Sequence, residues 1–469
     1  MTDTSTASRR HFLSRGGAAL LGAAAAGALN ACGGASAGEN PIWIAPVNPP
    51  VVQPLPDGGL VSGHVAPAYQ PVLDAFVANF RDRREIGASL AVTVKGVPVV
   101  DLWGGHSDTL AVRPSVPWAR DDVSLVFSCT KGATALCAHM LVAQGQLDLD
   151  KWVAYYWPEF AEKGKDVITV RMLLQHAAGL AAIPFSTPVR PGGWADPDYM
   201  SGLLAATTPW WEPGTAHGYH GMTFGWLVGE LVKRVSGLSL GTFFARHVAA
   251  PLGIDFWIGT PEAVLPRVAP MMAATEVLPV DPVAQAIARD PASMQAAMFF
   301  NVGGWLGLPP DTPPAYNTKA SLQAEIPAAG GVTNARGLAT MYAALANGGA
   351  LNGVRLLPED YTAQLGMIQS AAPIERMALL ASRFGLGFHG GMDNRARAPG
   401  NSAILGPQAF GHAGFGGSLG FADPQAQMSF GYQMTRMGPG TLLNDRGQSL
   451  VDAVYGVLGR TSNRYGFWV

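Results

Sequence analysis

The spacing of apolar residues predicts regular structure from Ala66 onward. Val72, Phe76 and Phe80 recur every four residues, which places their side chains on one face of a helix. A second stripe predicts another helix, whose buried face consists of Ala133, Leu136, Cys137, Met140 and Leu141. Both stripes are apolar enough to pack against a core, so the chain begins to build a folded domain here.

Strand patterns flank a helical middle segment. Residues 87–105 indicate two strands of a hairpin that turns at Lys95–Gly96. Strands are predicted again at 384–389, in the glycine-rich stretch 409–424 and at 428–436, before a final helix over 448–460. Strands at both ends with helices between them predict a mixed α/β fold.

This order of elements predicts how the chain is divided. An α/β part would consist of residues 67–150 and 330–469, and residues 151–329, which are helical and rich in loops, would form an inserted helical domain. A cleft between the two parts is the default place for a substrate. Before them, residues 38–66 are predicted to be a linker. Prolines at 41, 46, 49, 50, 54 and 56 disfavour helix and sheet interior, so this stretch should be an extended tether or an arm lying on the domain.

Residues 1–37 are interpreted as an address rather than as part of the fold. Arg9 and Arg10 precede an uncharged Ala/Gly-rich run, which resembles a twin-arginine export signal and is too short and too weakly apolar to favour a membrane-spanning helix. Leu29–Cys32 resembles a lipoprotein processing site with Cys32 acylated, whereas cleavage after Ala37 would leave no lipid. Either route predicts export to the periplasm or cell envelope.

Composition narrows the function classes. Apolar residues make up 48% of the 469 residues, charged residues 14%, and the net charge is −2 without basic blocks, so nothing indicates nucleic acid or a polybasic membrane patch. Cys129 and Cys137 would lie about 12 Å apart on one helix, too far for a disulfide. They are interpreted as small buried apolar residues.

Ser128 and Lys131 are a candidate nucleophile and its activating amine, and they form the only Ser-x-x-Lys in the chain. Residues three apart share a helix face, and a helix N-terminus favours a developing anion. A neutral Lys131 could take the serine proton, or a charged one could lower the pKa of another base. The alternative is a serine cap beside a surface lysine.

Three later segments accompany this pair in order: Leu173–Leu180, Trp211–Leu231 with Tyr219, and Gly411–Pro424. Together with Ser-x-x-Lys they resemble the serine β-lactamase and penicillin-binding-protein superfamily, and most of all its family VIII carboxylesterases. The resemblance covers 66–459 and implies a β-lactamase/transpeptidase-like fold, with an antiparallel sheet flanked by helices.

The resemblance also implies roles. Ser128 matches the nucleophile, Lys131 the lysine of the first motif and Tyr219 the tyrosine of the second. His412, Ala413 and Gly414 occupy the third motif, and the N–H of Phe415 would pair with that of Ser128 as an oxyanion hole. Whether Lys131 or Tyr219 takes the proton is left open.

Two departures from the lactamase pattern favour an uncharged ester as substrate. The second motif reads Tyr219-His220-Gly221, without the usual asparagine in third place. The third motif has His412 in place of a lysine, and a largely neutral histidine is a poor partner for a substrate carboxylate.

The other patterns in the sequence do not indicate a second kind of active site. Gly416–Gly420 fits Gly-x-Ser-x-Gly around Ser418, but a strand follows it and no histidine lies beyond His412, so an α/β-hydrolase elbow is rejected. His217 and His220 lack further ligands, so neither a metal nor another cofactor is expected. Five aromatic residues either line an apolar acyl pocket or belong to the core: Trp210, Trp211, Phe299, Phe300 and Trp305.

The sequence therefore predicts an exported serine hydrolase, a carboxylesterase that cleaves small uncharged esters through an acyl-enzyme on Ser128. Its partner would be a small-molecule ester, and it would touch a membrane only through a lipid on Cys32. The alternatives are a β-lactamase, a D,D-peptidase or an acyltransferase of the same fold, and a non-catalytic binding relative. The oligomeric state is left open.

Overall fold

A computed structural model describes Trp43 and residues 50–307, 313–463 and 466–469. The strands are β1 Val51–Pro54, β2 Leu60–Val65, β3 Gly87–Val94, β4 Val97–Gly105, β5 Ser124–Leu125, β6 Phe256–Ile258, β7 Gly331–Thr333, β8 Ala350–Leu351, β9 Val354–Arg355, β10 Ser370–Ala372, β11 Ser382–Phe384, β12 Phe410–Ala413, β13 Leu419–Asp423 and β14 Met428–Met434.

The α-helices of the same residues are α1 Gln70–Asp82, α2 Thr130–Ala143, α3 Val153–Tyr156, α4 Val170–Leu174, α5 Pro197–Ala206, α6 Thr223–Ser236, α7 Leu240–Phe244, α8 Ala250–Leu252, α9 Pro282–Arg289, α10 Met294–Phe300, α11 Lys319–Gln323, α12 Ala335–Ala346, α13 Glu359–Thr362 and α14 Asp445–Val457. None of these helices has the length and hydrophobicity that crossing a membrane requires.

Seven strands form one antiparallel sheet in the order β1-β2-β4-β3-β14-β13-β12. The pairing of β3 with β14, with Val94 opposite Met428, joins the early and late parts of the chain. Helices cover this sheet, so the expected mixed α/β fold with an antiparallel sheet flanked by helices is confirmed.

Glycines let α12 lie close against one face of the sheet. Gly420 and Gly431 are paired across β13 and β14. A Cβ at Gly420 would come within 2.6 Å of the Tyr342 ring, and one at Gly431 within 2.2 Å of the Ala335 carbonyl oxygen. Larger residues at these two positions would push α12 away from the sheet.

The opposite face packs against α14. Phe421 and Phe430 stack on each other with their ring centroids 5.2 Å apart, and Phe421 also stacks on Tyr455 of α14. Helix α1 packs beside α14 and against β2 and β4. The sheet is therefore covered on both faces, and almost every residue of β3 and β14 is buried.

Several predicted elements are confirmed. Helix α1 contains the stripe of Val72, Phe76 and Phe80, and α2 contains the second stripe. The hairpin β3–β4 turns at Lys95–Gly96, where both residues have positive φ, as a type I′ hairpin turn requires. Strand β14 and helix α14 lie within a few residues of their predicted bounds.

The linker prediction for 38–66 is wrong over its second half. Residues Leu60–Val65 form β2, an interior strand paired with β1 and β4, and Val51–Pro54 form the edge strand β1. The prolines do not prevent this, because β2 contains none and Pro54 lies at the end of an edge strand, where a missing N–H is tolerated.

Two further strand predictions need correction. Only Phe384 of the predicted strand 384–389 lies in a strand, and Gly387, with φ of +83°, bends the chain after it. The stretch 409–424 forms two strands, β12 and β13, because Gly416 and Gly417 have φ of +89° and +117° and turn the chain between them. Within 151–329 the described elements are helices α3–α11 and the single strand β6, and their status as a separate domain stays a prediction.

A buried ion pair ties α14 to the start of β3. The Arg446 guanidinium lies 3.1 Å from the Glu85 carboxylate, and the Tyr432 hydroxyl donates to the other oxygen of that carboxylate. Arg446 also donates to the Arg436 carbonyl at 2.7 Å. Asn444, which caps α14, donates to the Gly416 carbonyl at 2.9 Å, so this end of α14 also holds the turn between β12 and β13.

We expect Glu85→Ala to lower the melting temperature strongly, because it leaves the Arg446 charge buried without a partner. Breaking such a pair destabilises a protein by about 3–5 kcal/mol. The measurement is thermal unfolding followed by circular dichroism. The matched control is Asp82→Ala, which breaks an exposed pair with Arg81 and should leave the melting temperature unchanged. Equal shifts in the two variants would contradict the expected stabilising role.

Candidate active site

Ser128 lies on a tight turn at the head of α2. The turn Phe127–Cys129 is a 3-10 helix that leads directly into α2. Phe127 has φ of +43°, a conformation that L-residues rarely adopt. Its ring makes edge-on contacts with Trp305, Tyr316 and Phe415, which hold this backbone in place. Ser128 is half-buried at the mouth of a cavity.

Lys131 is completely buried below Ser128. Its Nζ lies 3.1 Å from Ser128 Oγ, and it donates to the carbonyl oxygens of Gly221 at 2.6 Å and Ala328 at 3.0 Å. None of the ion pairs formed by the described residues includes it. Burial therefore lowers the pKa of Lys131 well below its usual value.

A small sheet brings the Ala328 carbonyl to this position. Strands β5 and β6 both pair with β7, which begins three residues after Ala328. Val126 N–H donates to the Gly331 carbonyl at 2.9 Å, and Gly331 N–H donates to Thr130 Oγ1 at 2.8 Å. The segment before β7 is thus fixed beside the start of α2.

Tyr219 reaches Ser128 from the other side. Its hydroxyl lies 2.8 Å from Ser128 Oγ, and Lys131 Nζ lies 4.8 Å from the centre of its ring. The ring stacks on Phe384 and packs against His176. Burial raises the pKa of the Tyr219 phenol, so the phenol stays protonated.

The structure therefore brings together the three residues predicted from two separate motifs. A neutral Lys131 uses its two N–H groups on the carbonyls of Gly221 and Ala328, which leaves its lone pair for the Ser128 proton. The protonated Tyr219 donates to Ser128 Oγ. This arrangement favours Lys131 as the base and Tyr219 as a proton donor.

The predicted oxyanion donors border the same cavity. Ser128 and Phe415 both line it, and among the described residues neither backbone N–H donates to a protein acceptor. Phe415 lies in the turn that follows Gly414. A Cβ on Gly414 would come within 2.3 Å of the Val126 carbonyl oxygen. The turn is therefore held close to the segment preceding Ser128. The oxyanion role itself stays a prediction.

The third motif presents no positive charge. His412 is buried, and its Nδ1–H donates to the Ala413 carbonyl at 2.7 Å. Burial, together with nearby His389 and Lys131, lowers the pKa of His412 well below its usual value, so the ring is neutral. Ala413 N–H in turn donates to His389 Nε2 at 2.7 Å.

The contacts of three residues of the site were not predicted from the sequence: Gly221, His389 and Glu375. Gly221 supplies a carbonyl to Lys131, and a Cβ on it would come within 2.5 Å of Met298 Sδ, so a side chain there would require Met298 to move. His389 was placed in a predicted strand. Glu375 is a buried carboxylate that accepts the Tyr219 N–H at 2.8 Å, and no pattern around it indicated this contact.

Three residues to which the sequence analysis gave no catalytic or metal-binding role make hydrogen bonds within the protein: Ser418, His217 and His220. Ser418 is fully buried, donates to the Val126 carbonyl at 3.1 Å and precedes a strand rather than a helix, which confirms the rejection of the elbow. His217 lies 2.8 Å from Ser382 Oγ, whereas His220 Nδ1 donates to the Gly218 carbonyl.

The cysteines behave as expected. Cys129 and Cys137 are free and buried, as predicted, and burial raises the pKa of the Cys129 thiol to about 12, so it stays protonated. Cys32 and the rest of 1–37 lie outside the described residues.

The cavity above Ser128 holds about 930 Å³ of empty space, including its open mouth, and its lining is mostly apolar. Phe299 and Trp305 of the five candidate aromatic residues line it. Trp210 and Trp211 instead belong to a neighbouring cluster, with Trp210 Nε1 donating to the Ala182 carbonyl. The described lining contains Glu375 but no lysine or arginine.

Comparison with known proteins gives consistent matches. The family model described as Beta-lactamase matches residues 73–455. The protein named Esterase/beta-lactamase LipL from Mycobacterium tuberculosis is 35% identical over 384 residues, which cover 81% of this chain and 85% of LipL.

Two solved structures share the fold over most of their length. A family VIII carboxylesterase is 36% identical with a TM-score of 0.69, covering 85% of this chain and 99% of its own. A penicillin-binding-protein homologue from Caulobacter crescentus is 34% identical with a TM-score of 0.72, with the same two coverages.

We expect Lys131→Met to slow the reaction of Ser128 with a fluorophosphonate by about 10²–10⁴-fold, because the variant keeps the side-chain volume but loses the base. The rate is measured from the mass of the intact protein over time. In the wild type the rate should fall as the pH is lowered, because protonation of Lys131 removes its lone pair.

Two controls accompany this experiment. Lys151→Met changes an exposed lysine that lies over the Tyr155 ring and should label like the wild type. Ser418→Ala should also label normally, whereas Ser128→Ala should not label at all. Wild-type labelling by Lys131→Met would show that the buried amine is not the base.

Proposed function

The chain belongs to the beta-lactamase family and is a serine hydrolase, and on this basis we propose that it is a carboxylesterase cleaving small uncharged esters through an acyl-enzyme on Ser128. The observation that carries the proposal is the charge of the cavity. A neutral His412 and a buried Glu375 border it, and its described lining has no cation.

In the proposed reaction Lys131 takes the Ser128 proton while Oγ attacks the ester carbonyl. The carbonyl oxygen becomes an oxyanion held by the N–H groups of Ser128 and Phe415. When the intermediate collapses, the bond to the alcohol breaks, and the proton passes through Tyr219 to the leaving oxygen. Water then attacks the acyl-enzyme while Lys131 takes its proton. As the bond between the acyl carbon and Ser128 Oγ breaks, Lys131 returns this proton to Oγ, which releases the acid and regenerates the serine hydroxyl and the neutral amine.

The lack of a cation in the described lining of the cavity disfavours anionic substrates. A carboxylate entering the cavity would lose its hydration in an apolar surrounding without a cation to replace it. Gly221 offers no side-chain amide to such a substrate, and Met298 occupies the space where one would lie. An uncharged ester meets none of these penalties, and the apolar lining contributes to its binding.

A β-lactamase is the second candidate function. It is favoured by the arrangement of Ser128, Lys131 and Tyr219, and by the name of LipL, which combines both activities. The test of the function therefore includes a β-lactam substrate as a separate arm.

We expect the enzyme to hydrolyse p-nitrophenyl butyrate with a kcat/KM about 100-fold above that for p-nitrophenyl hemisuccinate. These esters share a leaving group and have similar length, so the difference reports the cost of the unpaired carboxylate. A chromogenic cephalosporin is offered in parallel, and Ser128→Ala is the control that should lose every activity. Equal rates for the two esters would contradict the charge argument, and preferential cephalosporin turnover would favour the β-lactamase.

We also propose that the protein is exported, on the grounds of Arg9, Arg10 and the apolar run after them. Expressed in a host with a twin-arginine pathway, the protein should lose its first residues, and a double Arg9→Lys, Arg10→Lys variant should keep them. The mass of the N-terminal peptide measures this. A lipid on Cys32 would identify a lipoprotein, a start after Ala37 would identify a lipid-free product, and retention of residue 1 by the wild type would contradict export.

A further inference from the structure

Glu375 is a buried carboxylate that faces backbone amides rather than a cation. It is 2% exposed and belongs to none of the ion pairs found among the described residues. One carboxylate oxygen accepts the N–H groups of Tyr219 at 2.8 Å and Met377 at 2.9 Å, and the other accepts the N–H of Ala378. Burial raises the pKa of Glu375, and these three N–H groups oppose that effect because they stabilise the ionised carboxylate.

Tyr219 needs an external support because its segment has no regular structure. Residues 207–222 connect α5 to α6 without a helix or strand of their own. The N–H groups on either side of Tyr219 are held by His176, since Gly218 donates to its carbonyl and His220 to its Nδ1. The N–H of Tyr219 itself donates to Glu375.

Glu375 also shapes one wall of the cavity. It lies in residues 373–381, the loop between the paired strands β10 and β11, and its N–H donates to the Leu380 carbonyl at 2.9 Å. Ala378 and Leu380 of this loop line the cavity. Gln295 of α10 braces the same loop by donating to the Arg376 carbonyl at 2.7 Å.

We propose that Glu375 is a positioning residue whose carboxylate, through the N–H of Tyr219, holds the phenol against Ser128 and joins it to the cavity wall at 373–381. The effect on ester turnover rests on the proposed function, but the effect on the reactivity of Ser128 does not.

Geometry explains why this contact reaches the chemistry. The phenol lies 2.8 Å from Ser128 Oγ at the end of a side chain with only two rotatable bonds, so a shift of the Tyr219 backbone moves the hydroxyl with it. A misplacement of about 1 Å in a reacting group can slow a reaction by about 10²-fold. Burial raises the pKa of the phenol and the Glu375 charge adds to this, which keeps Tyr219 a donor.

The test is a double-mutant cycle on the rate at which a fluorophosphonate labels Ser128. Glu375→Ala should slow labelling by about 10–100-fold. In a Tyr219→Phe background, which already lacks the hydroxyl, the same substitution should slow it by less than about threefold. Equal factors in the two backgrounds would overturn the proposal, because Glu375 would then act independently of the phenol.

Two further variants separate positioning from general loosening of the loop. Glu375→Gln keeps one oxygen for the N–H groups of Tyr219 and Met377, so it should restore labelling to within about threefold of the wild type. Gln295→Ala frees the same loop without touching Tyr219 and should also stay within about threefold. A Gln295→Ala variant as slow as Glu375→Ala would overturn the proposal.

Two further measurements separate a loss of folding, and a different substrate, from a loss of positioning. Circular dichroism checks each variant, and if Glu375→Ala does not fold, Glu375→Asp, which is one methylene too short to keep all three contacts, takes its place in the cycle. Ester kinetics are measured beside labelling, where the loss should appear in kcat with KM changed less than about threefold. If the variants change the labelling rate as expected but the enzyme hydrolyses no ester, the proposed function is contradicted and the positioning role of Glu375 is still supported.

Discussion

The site depends on one buried amine, Lys131, that has no counter-charge among the residues that the structure describes. Its Nζ has two carbonyl oxygens and a serine hydroxyl as neighbours, and no carboxylate in this part of the chain forms an ion pair with it. A charged ammonium in this place would lose its hydration without an anion to replace it, so the amine is held neutral and can accept a proton. A carboxylate beside Lys131 would favour the ammonium and remove the base.

This requirement explains why the site is assembled from remote parts of the chain. Ser128 and Lys131 come from one turn of α2, but the carbonyls that hold the amine come from Gly221 and Ala328. Strand β7 fixes the second of these and the irregular segment 207–222 supplies the first. Secondary structure alone cannot bring such carbonyls to one point. The burial of the lysine therefore depends on the packing of α2 against α6 and on the hydrogen bond from Gly331 of β7 to Thr130 of α2.

The sequence predicts the parts of this arrangement that have a local signature. The i to i+3 spacing of Ser128 and Lys131 is a property of a helix start, and Tyr219 and His412 lie in recognisable motifs. Glu375 has no such signature, because its contact with the Tyr219 N–H, 156 residues away in the chain, is not indicated by any pattern in the residues around it. The linker prediction failed for a related reason, since prolines report on their own N–H and not on the proline-free run at 60–65 that joins the sheet.

The departures from the lactamase motifs are linked through packing and charge. A Cβ at Gly221 would come within 2.5 Å of Met298 Sδ, so a side chain there would displace Met298, which is itself part of the apolar wall of the cavity. A lysine in place of His412 would border a cavity whose described lining contains one carboxylate, Glu375, and the oxygens of that carboxylate already bind three N–H groups. The missing side-chain amide, the missing cation and the apolar lining all leave the cavity without a group that would bind a charged substrate, which is why the proposed substrate is an uncharged ester.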